Sequence, residues 1–398
     1  MKGFSYGDSA FPAGAVWSSP FAKWQGSLAE ISSLDVAEAV TGRALRDRGI
    51  DSAALDGLVL GWSVPSKQIF YGAPWLAARL GAPHLTGPMI SQACATSVAA
   101  VHAAAATVSC GGGPQLVVAT DRTSNGPTLF YPQPSAQGGA AATTHWVLDS
   151  FASDPGTGKG MLATADLVAR DNGFTREQAD EVKVLRWEQY ASALADDRAF
   201  QRRYVVPIEI GQGKRAVVLE EDEGVRPIQA AALAGLRPVD PEGIHTFGTQ
   251  THPADGCAGA VVATVDAARE ISRGAGIVRL LASGTGRVGP SRMPEAPVPA
   301  AKAALDAAGL GFDDVDLVTT HNPFAVNDLY FAKETGIPLD KMNVRGCSLI
   351  FGHPQGPTGL RSIAELTEEL RVRGGGVGLF TGCAAGDSGM ALVVRVED

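Results

Sequence analysis

The chain has 398 residues, 45% of them hydrophobic and 19% charged, which is too apolar for disorder and long enough for two or three domains. Lys plus Arg total 33 against 42 Asp plus Glu, a net charge of −9, so there is no basic surplus of the kind a nucleic-acid surface carries. No apolar run reaches the roughly 18 residues a membrane helix needs; the longest, Ala95–Val108, is mostly alanine.

Met1–Asp8 lacks the apolar core of a secretion signal. Arg395–Asp398 is neither a prenylation box nor a peroxisomal signal. A cytoplasmic protein is expected. Leu58–Leu60 reads as a buried strand, Tyr71–Leu80 as a helix, and Gln115–Ala119 as a second strand. Between the last two, Ala95–Ser109 is uncharged and nearly apolar all round, the pattern of a helix buried on every side. Asn125–Gly160, rich in Gly, Pro, Ser and Thr, reads as loops. Thr175-Arg176-Glu177-Gln178 is a capping box opening a charged helix to about Leu194. Asp255-Gly256 reads as a turn into the strand Cys257–Val265. Strand-like Ile277–Leu281, Val315–Val318, Val377–Phe380 and Met390–Val396 follow, with helical Ala300–Ala308, Val326–Thr335 and Leu360–Val372 between them. The charges of Leu360–Val372 predict one face in water. Alternating strands and helices predict an α/β fold.

One unit occurs twice. Cys94, a helix, Gly111-Gly112-Gly113 and a strand in the first part match His353, a helix, Gly374-Gly375-Gly376 and a strand in the last. The expected organisation is two similar layered halves, residues 1–119 plus 246–268 and residues 269–398, with 120–245 inserted as a loop domain.

Several familiar patterns fail on context. Gly386-Asp387-Ser388-Gly389 matches the nucleophile segment of chymotrypsin-like proteases, but those are all-β. Gly284-x-Gly286-x-x-Gly289 is followed by Pro290 where a dinucleotide-binding helix would begin. Gly158-Lys159-Gly160 lacks the rest of a P-loop. The five cysteines, 94, 110, 257, 347 and 383, are scattered and odd in number, which argues against a disulfide framework. No His/Cys cluster has zinc-ligand spacing, so no metal is expected.

Four segments remain, each with a Cys or His at a predicted element boundary: Ser91–Ser97 around Cys94, His321-Asn322-Pro323-Phe324-Ala325, Gly352–Gly359 around His353, and Gly382–Gly389 around Cys383. Ligands bind at such strand-end junctions in α/β sheets. In order and spacing these segments resemble the thiolase family, and the resemblance covers most of the chain. Met161–Asp166, Gly248–Gly256 and Phe21–Leu28 add weaker matches. His321 stands where many thiolases have Asn, so that block is similar to the sterol-carrier-protein-type branch.

The resemblance implies acyl transfer between 3-ketoacyl-CoA and CoA through an acyl-Cys94 intermediate. It implies His353 as the base beside Cys94, with Cys383 as the acid/base at the α-carbon. One oxyanion hole falls to His353 with His321, the other to the backbone N–H groups of Cys94 and Ala385. Thr251, Phe324 and Met161 fall at substrate-contacting positions. A thiol is activated by a helix N-terminus or a nearby His, and Cys94 is expected to have both. No permanently bound cofactor is implied; CoA is a substrate, and a homodimer or homotetramer is expected. Ala385 and Asp387 replace family glycines, which brings a charge near the site and admits a subunit that works only with a small accessory partner. A decarboxylating ketosynthase is the other reading: His321 favours it and Cys383 opposes it.

Overall fold

The computed structural model describes residues 1–397 apart from 68, 212, 214 and 215. Two six-stranded sheets organise the chain. The first runs Val16–Ser18, Ala254–Val262, Gln115–Arg122, Gly57–Gly61, Met89–Ile90, with Ala22–Lys23 also pairing Ala254–Val262. The second runs Lys2–Ser5, Ile277–Arg287, Ser388–Glu397, Gly376–Ala384, Leu317–His321, with Ala10–Pro12 also on Ile277–Arg287.

The duplicated unit is visible in the pairing. Helix Thr96–Ser109 leads to Gln115–Arg122, which is parallel to Gly57–Gly61 and antiparallel to Ala254–Val262. Helix Thr358–Val372 leads to Gly376–Ala384, which is parallel to Leu317–His321 and antiparallel to Ser388–Glu397. Both helices lie between the two sheets and touch each other. We call them the cysteine helix and the histidine helix. Ser33–Asp47 and Gly72–Arg79 cover the outer face of the first sheet, and Pro297–Ala308 covers that of the second, which completes a layered α/β fold.

The cysteine helix is buried between sheets as its composition requires: six of its fourteen residues are alanine, which brings backbones close. The histidine helix differs from expectation. Every residue from Thr358 to Leu370 is buried, including Arg361, Glu365, Glu368 and Glu369. Its charges do not face water because the inserted segment meets them. Arg361 is paired with both oxygens of Asp222 at 2.5 and 2.6 Å and is sandwiched between the rings of Phe21 and Phe351. Tyr204 donates to Glu365 at 2.7 Å, and Arg203 pairs with Glu368 at 2.8 Å.

Further differences have local causes. Residues 2–5 and 10–12 add to the second sheet, so the chain starts in what was read as the other half; these short strands carry no pattern that assigns them. Gln115–Arg122 runs past the expected boundary at 119. Asp255-Gly256 is strand, opposite Arg122 and Asp121: the Asp255 carboxylate accepts the Ser124 N–H, and a Cβ at Gly256 would meet the Phe21 ring at 2.5 Å. That strand ends at Val262, and Thr264 caps the next helix. Within 125–160, Thr128–Tyr131 and Ala142–His145 form a hairpin from β-favouring Phe, Tyr and Thr. Gly284 and Gly286 lie in the strand Ile277–Arg287, where a Cβ at Gly284 would sit 2.2 Å from the Ala300 carbonyl oxygen. These glycines serve sheet–helix packing.

Removing Asp222 leaves the buried Arg361 guanidinium with only the Glu365 carboxylate, 3.6 Å away, to compensate it. Asp222→Ala is expected to lower the unfolding free energy by about 3–5 kcal/mol in urea titration. A loss below about 1 kcal/mol, the ceiling for an exposed pair, contradicts this account.

Candidate active site

Cys94 lies in a single turn, Ala93–Ala95, at the mouth of the cysteine helix. Ala93 before it has φ 45°, a left-handed conformation rare outside glycine. The resulting sharp bend leaves the thiol half-buried rather than enclosed. His353 comes from the opposite half, on the loop before the histidine helix. Its backbone is held by the His252 carbonyl and the Ala254 N–H. Its Nε2 is 3.1 Å from Cys94 Sγ, and its Nδ1 is 2.6 Å from Thr358 Oγ1.

His321 ends the strand Leu317–His321. Its ring stacks on His353 with centroids 4.0 Å apart. Nδ1 is 3.1 Å from Ser348 Oγ, while Nε2 is buried without a hydrogen-bond partner among the described residues. Cys383 is buried near the end of Gly376–Ala384 and receives a hydrogen bond from Asn327 Nδ2 at 3.4 Å. Phe324 packs in the same apolar cluster as Cys383, Met293 and Val326, with Met161 against it. The Ala385 and Cys94 N–H groups both reach the Cys94 sulfur. The structure therefore brings together Cys94, His321, His353, the Ala385 N–H, and the Cys383–Phe324–Met161 group. Thr251 adjoins this group through its backbone and hydroxyl: the hydroxyl donates to the Ser348 carbonyl at 2.5 Å, and the N–H to the Pro323 carbonyl.

Asp387 is held by neighbouring backbone. Its two oxygens accept the N–H groups of Ser291 and Arg292 at 2.9 and 2.8 Å. Four supporting residues carry no motif that marks them: Thr358, Ser348, Asn327 and Asp121. Asp121 accepts from the Ser63 hydroxyl, from the Ser63 and Val64 N–H groups, and from the Gly356 N–H, all at 2.7–2.9 Å. The only hint was a polar run, Thr120-Asp121-Arg122, closing an apolar strand.

Burial sets the protonation of the site. Burial pushes the Cys94 thiol up to about 12, against the pull of the Ala385 and Cys94 N–H groups. It pushes His321 down to about 3. It pushes His353 well below its usual value, with His321 adding to the effect. Cys94 and His353 are thus neutral at rest, which departs from the expectation of a thiol activated in advance. The 3.1 Å contact would let the Sγ proton pass to Nε2. Nε2 can accept it when Nδ1 carries the ring hydrogen and donates to Thr358.

Cys94 Sγ and one nitrogen of each histidine lie within 4.8 Å of one another, close enough to meet around a metal ion. Segment spacing hid this cluster, since its members are 227 and 32 residues apart in order (321 − 94 and 353 − 321). The two rings are nearly parallel, 26° apart. An ion in the plane of one lone pair lies out of the plane of the other, so the arrangement suits proton transfer better than coordination.

Comparison with known proteins agrees with this geometry. The family model described as thiolase, N-terminal domain, matches residues 15–266, and the one described as thiolase, C-terminal domain, matches residues 275–396. The chain belongs to the thiolase family. An acetyl-CoA acetyltransferase of Escherichia coli (strain K12) is 30% identical over 380 residues, covering 94% of this thiolase-family chain and 95% of the relative. The mitochondrial 3-ketoacyl-CoA thiolase of Homo sapiens is 27% identical over 396 residues, covering 94% and 96%. The crystal structure of the Bacillus anthracis acetyl-CoA acetyltransferase superimposes with a TM-score of 0.90 at 25% identity, covering 99% and 100%. That of human mitochondrial 3-ketoacyl-CoA thiolase in complex with CoA shares the fold, with a TM-score of 0.89 at 24% identity and 98% of each chain covered.

With the Cys94 thiol at about 12, alkylation of Cys94 by iodoacetamide is expected to quicken about tenfold per pH unit from about 7 to 10, with no plateau. An ordinary thiol levels off above about 8.5. A plateau below pH ~8 contradicts the neutral resting pair and indicates a standing thiolate–imidazolium pair.

Proposed function

We propose that this chain transfers an acyl group between 3-ketoacyl-CoA and CoA through an acyl-Cys94 intermediate. The observation that carries the reading is the 3.1 Å contact between Cys94 Sγ and His353 Nε2, with a second thiol, Cys383, buried in the adjoining apolar cluster. In thiolysis, Sγ attacks the 3-keto carbon and its proton passes to His353 Nε2. The C2–C3 bond breaks, leaving the acyl group on Cys94 and an acetyl-CoA enolate, which the Cys383 thiol protonates at carbon. CoA then enters and gives its thiol proton to the Cys383 thiolate. Its sulfur takes the acyl group, and Cys94 recovers its proton from His353. Protons balance over the cycle, and the reverse sequence is a Claisen condensation.

Two oxygens gain charge and need donors. The Cys94 and Ala385 N–H groups suit one. His321 Nε2, buried without a partner among the described residues, suits the other beside His353 once the Ser348 hydroxyl, which here donates to Asn322 Oδ1 at 3.3 Å, turns its proton to His321 Nδ1 and leaves the ring hydrogen on Nε2. This use of histidine in the His321–Phe324 block supports the sterol-carrier-protein-type branch. Phe324 and Met161 supply apolar wall near Cys383. CoA thioesters are the substrates in this reading, with no bound cofactor needed for any step. Exposed Phe70, Tyr71, Trp75, Phe130 and Tyr131 support self-association as a dimer or tetramer, since large apolar surface marks interfaces. No helix among the described residues is long and apolar enough to cross a membrane, in keeping with a cytoplasmic place.

The stacked His321–His353 pair beside Cys94 also fits a decarboxylating condensing enzyme, for which Cys383 has no task. A panel of 3-ketoacyl-CoAs, from acetoacetyl-CoA upward, assayed for CoA-dependent cleavage decides between them. Cleavage that is lost in Cys94→Ala is expected, together with loss of acetyl-CoA α-proton exchange in Cys383→Ala. Decarboxylation of a malonyl thioester without thiolysis overturns the reading in favour of the condensing enzyme.

His321 offers a separate test. His321→Ala is expected to lower kcat by about 10²–10³, the cost of one oxyanion donor, while His321→Asn keeps a donor and loses less. Equal losses in the two variants contradict the assigned role.

A further inference from the structure

Cys383 has an unusual task for a thiol. It must give up and take back a proton within an apolar cluster that includes Phe324, Val326, Met293 and Ala165. In such surroundings the thiolate is strongly disfavoured, and the charge of a Cys94 thiolate nearby disfavours it further. One side chain opposes this. Asn327, in the first turn of the helix Ala325–Thr335 and 2% exposed, places Nδ2 3.4 Å from Cys383 Sγ. Its other end is fixed, because Oδ1 accepts the Phe324 N–H at 3.2 Å. Rotating the amide by half a turn would set its NH₂ group against that N–H and an oxygen against the sulfur. The helix start thus holds the amide with its donor on Cys383.

We propose that Asn327 is a positioning residue for proton transfer at Cys383, holding an amide N–H on the sulfur so that its thiolate is an accessible state. The inference rests on the acid/base reading of Cys383. A neutral thiol gains little from an amide donor, whereas a thiolate gains the larger energy of a hydrogen bond to a charged acceptor. The bond therefore strengthens as the proton leaves. It acts on the second thiol alone, since Cys94 draws on the Ala385 and Cys94 N–H groups instead.

Two substitutions separate the donor from the cap. In Asn327→Asp a side-chain oxygen can still accept the Phe324 N–H, but the donor is replaced by a negative charge. In Asn327→Ser a short neutral acceptor remains and the reach to the sulfur is lost. The readout is the pH profile of deuterium exchange at the acetyl-CoA α-carbon, with Cys94 alkylation followed in parallel. Exchange needs the thiolate as base, so loss of the donor moves the rising limb to higher pH. A move of about 1 to 2 pH units is expected in the Ser variant, the value of one hydrogen bond to a charged group. Exchange at neutral pH then falls about 10- to 100-fold, and the Asp variant moves further. Cys94 alkylation stays unchanged in both. If Cys383→Ala abolishes exchange while both Asn327 variants keep the wild-type profile, Asn327 has no such role and the reading of Cys383 stands. If Cys383→Ala exchanges normally, the reading of Cys383 fails and this inference with it. A high-pH plateau that falls by the same factor as the neutral rate, with the midpoint of the limb unmoved, marks Asn327 as merely structural and also overturns the inference.

Discussion

The site depends on how one peptide unit, Gly356, is gripped from the opposite half. Its N–H donates to Asp121 at 2.8 Å, and its carbonyl accepts from the Ser97 hydroxyl. Ser97 lies one turn after Cys94 on the cysteine helix, and Gly356 lies three residues after His353. The grip therefore sets the register between the two reactive side chains, which otherwise belong to separate sheets. Asp121 extends it to Ser63 and Val64 beyond the strand Gly57–Gly61. A Cβ at Gly356 would sit 2.6 Å from Asp121 Oδ2, so the close approach requires glycine. Burial raises the Asp121 carboxyl to about 7, against the donors that surround it. The four donors that converge on the carboxylate offset part of its desolvation cost.

Burial also shapes the chemistry. His353 is buried and Cys94 half-buried, so separated charges on the pair are poorly solvated and the neutral forms are favoured. In the proposed reaction, fixed donors stand where charge would develop: the Cys94 and Ala385 N–H groups on one side, His321 Nε2 on the other. Such donors act most strongly in a site of low dielectric and need no rearrangement when the reaction begins. Each reactive group is aimed by a neighbour, Thr358 for His353, Ser348 for His321 and Asn327 for Cys383. These neighbours belong to the elements that bury the site, which ties geometry and protonation to the same packing.

Much of this was legible in the sequence. The all-apolar helix after Cys94 could only be buried, and the repeated helix–glycine–strand unit announced two similar halves. Reactive residues stood out because Cys and His at element boundaries have few structural reasons to be there. Their partners did not. Asp121, Ser348 and Asn327 are ordinary polar residues whose meaning comes from contacts across 27 to 235 residues of chain (His321 to Ser348 spans 27, Asn327 to Cys383 spans 56, Asp121 to Gly356 spans 235). The histidine helix misled for the same reason: its charges read as a wet face until the inserted segment supplied Asp222, Tyr204 and Arg203 to bury them. Short strands such as Lys2–Ser5 carried no periodicity, and the glycines of Ile277–Arg287, whose dinucleotide-binding pattern already failed at Pro290, had no visible purpose until they met the backbone of Pro297–Ala308.

The central claim is that two halves deliver one nucleophile and one base to a single acyl-transfer centre. Its most direct test is the mass of the intact protein after brief mixing with acetoacetyl-CoA, followed by peptide mapping. The account predicts one acetyl group per chain, on the peptide bearing Cys94, removed by added CoA and absent from Cys94→Ala. Folded protein that turns over substrate with no acyl group on Cys94, or that carries it on Cys383 instead, contradicts the account.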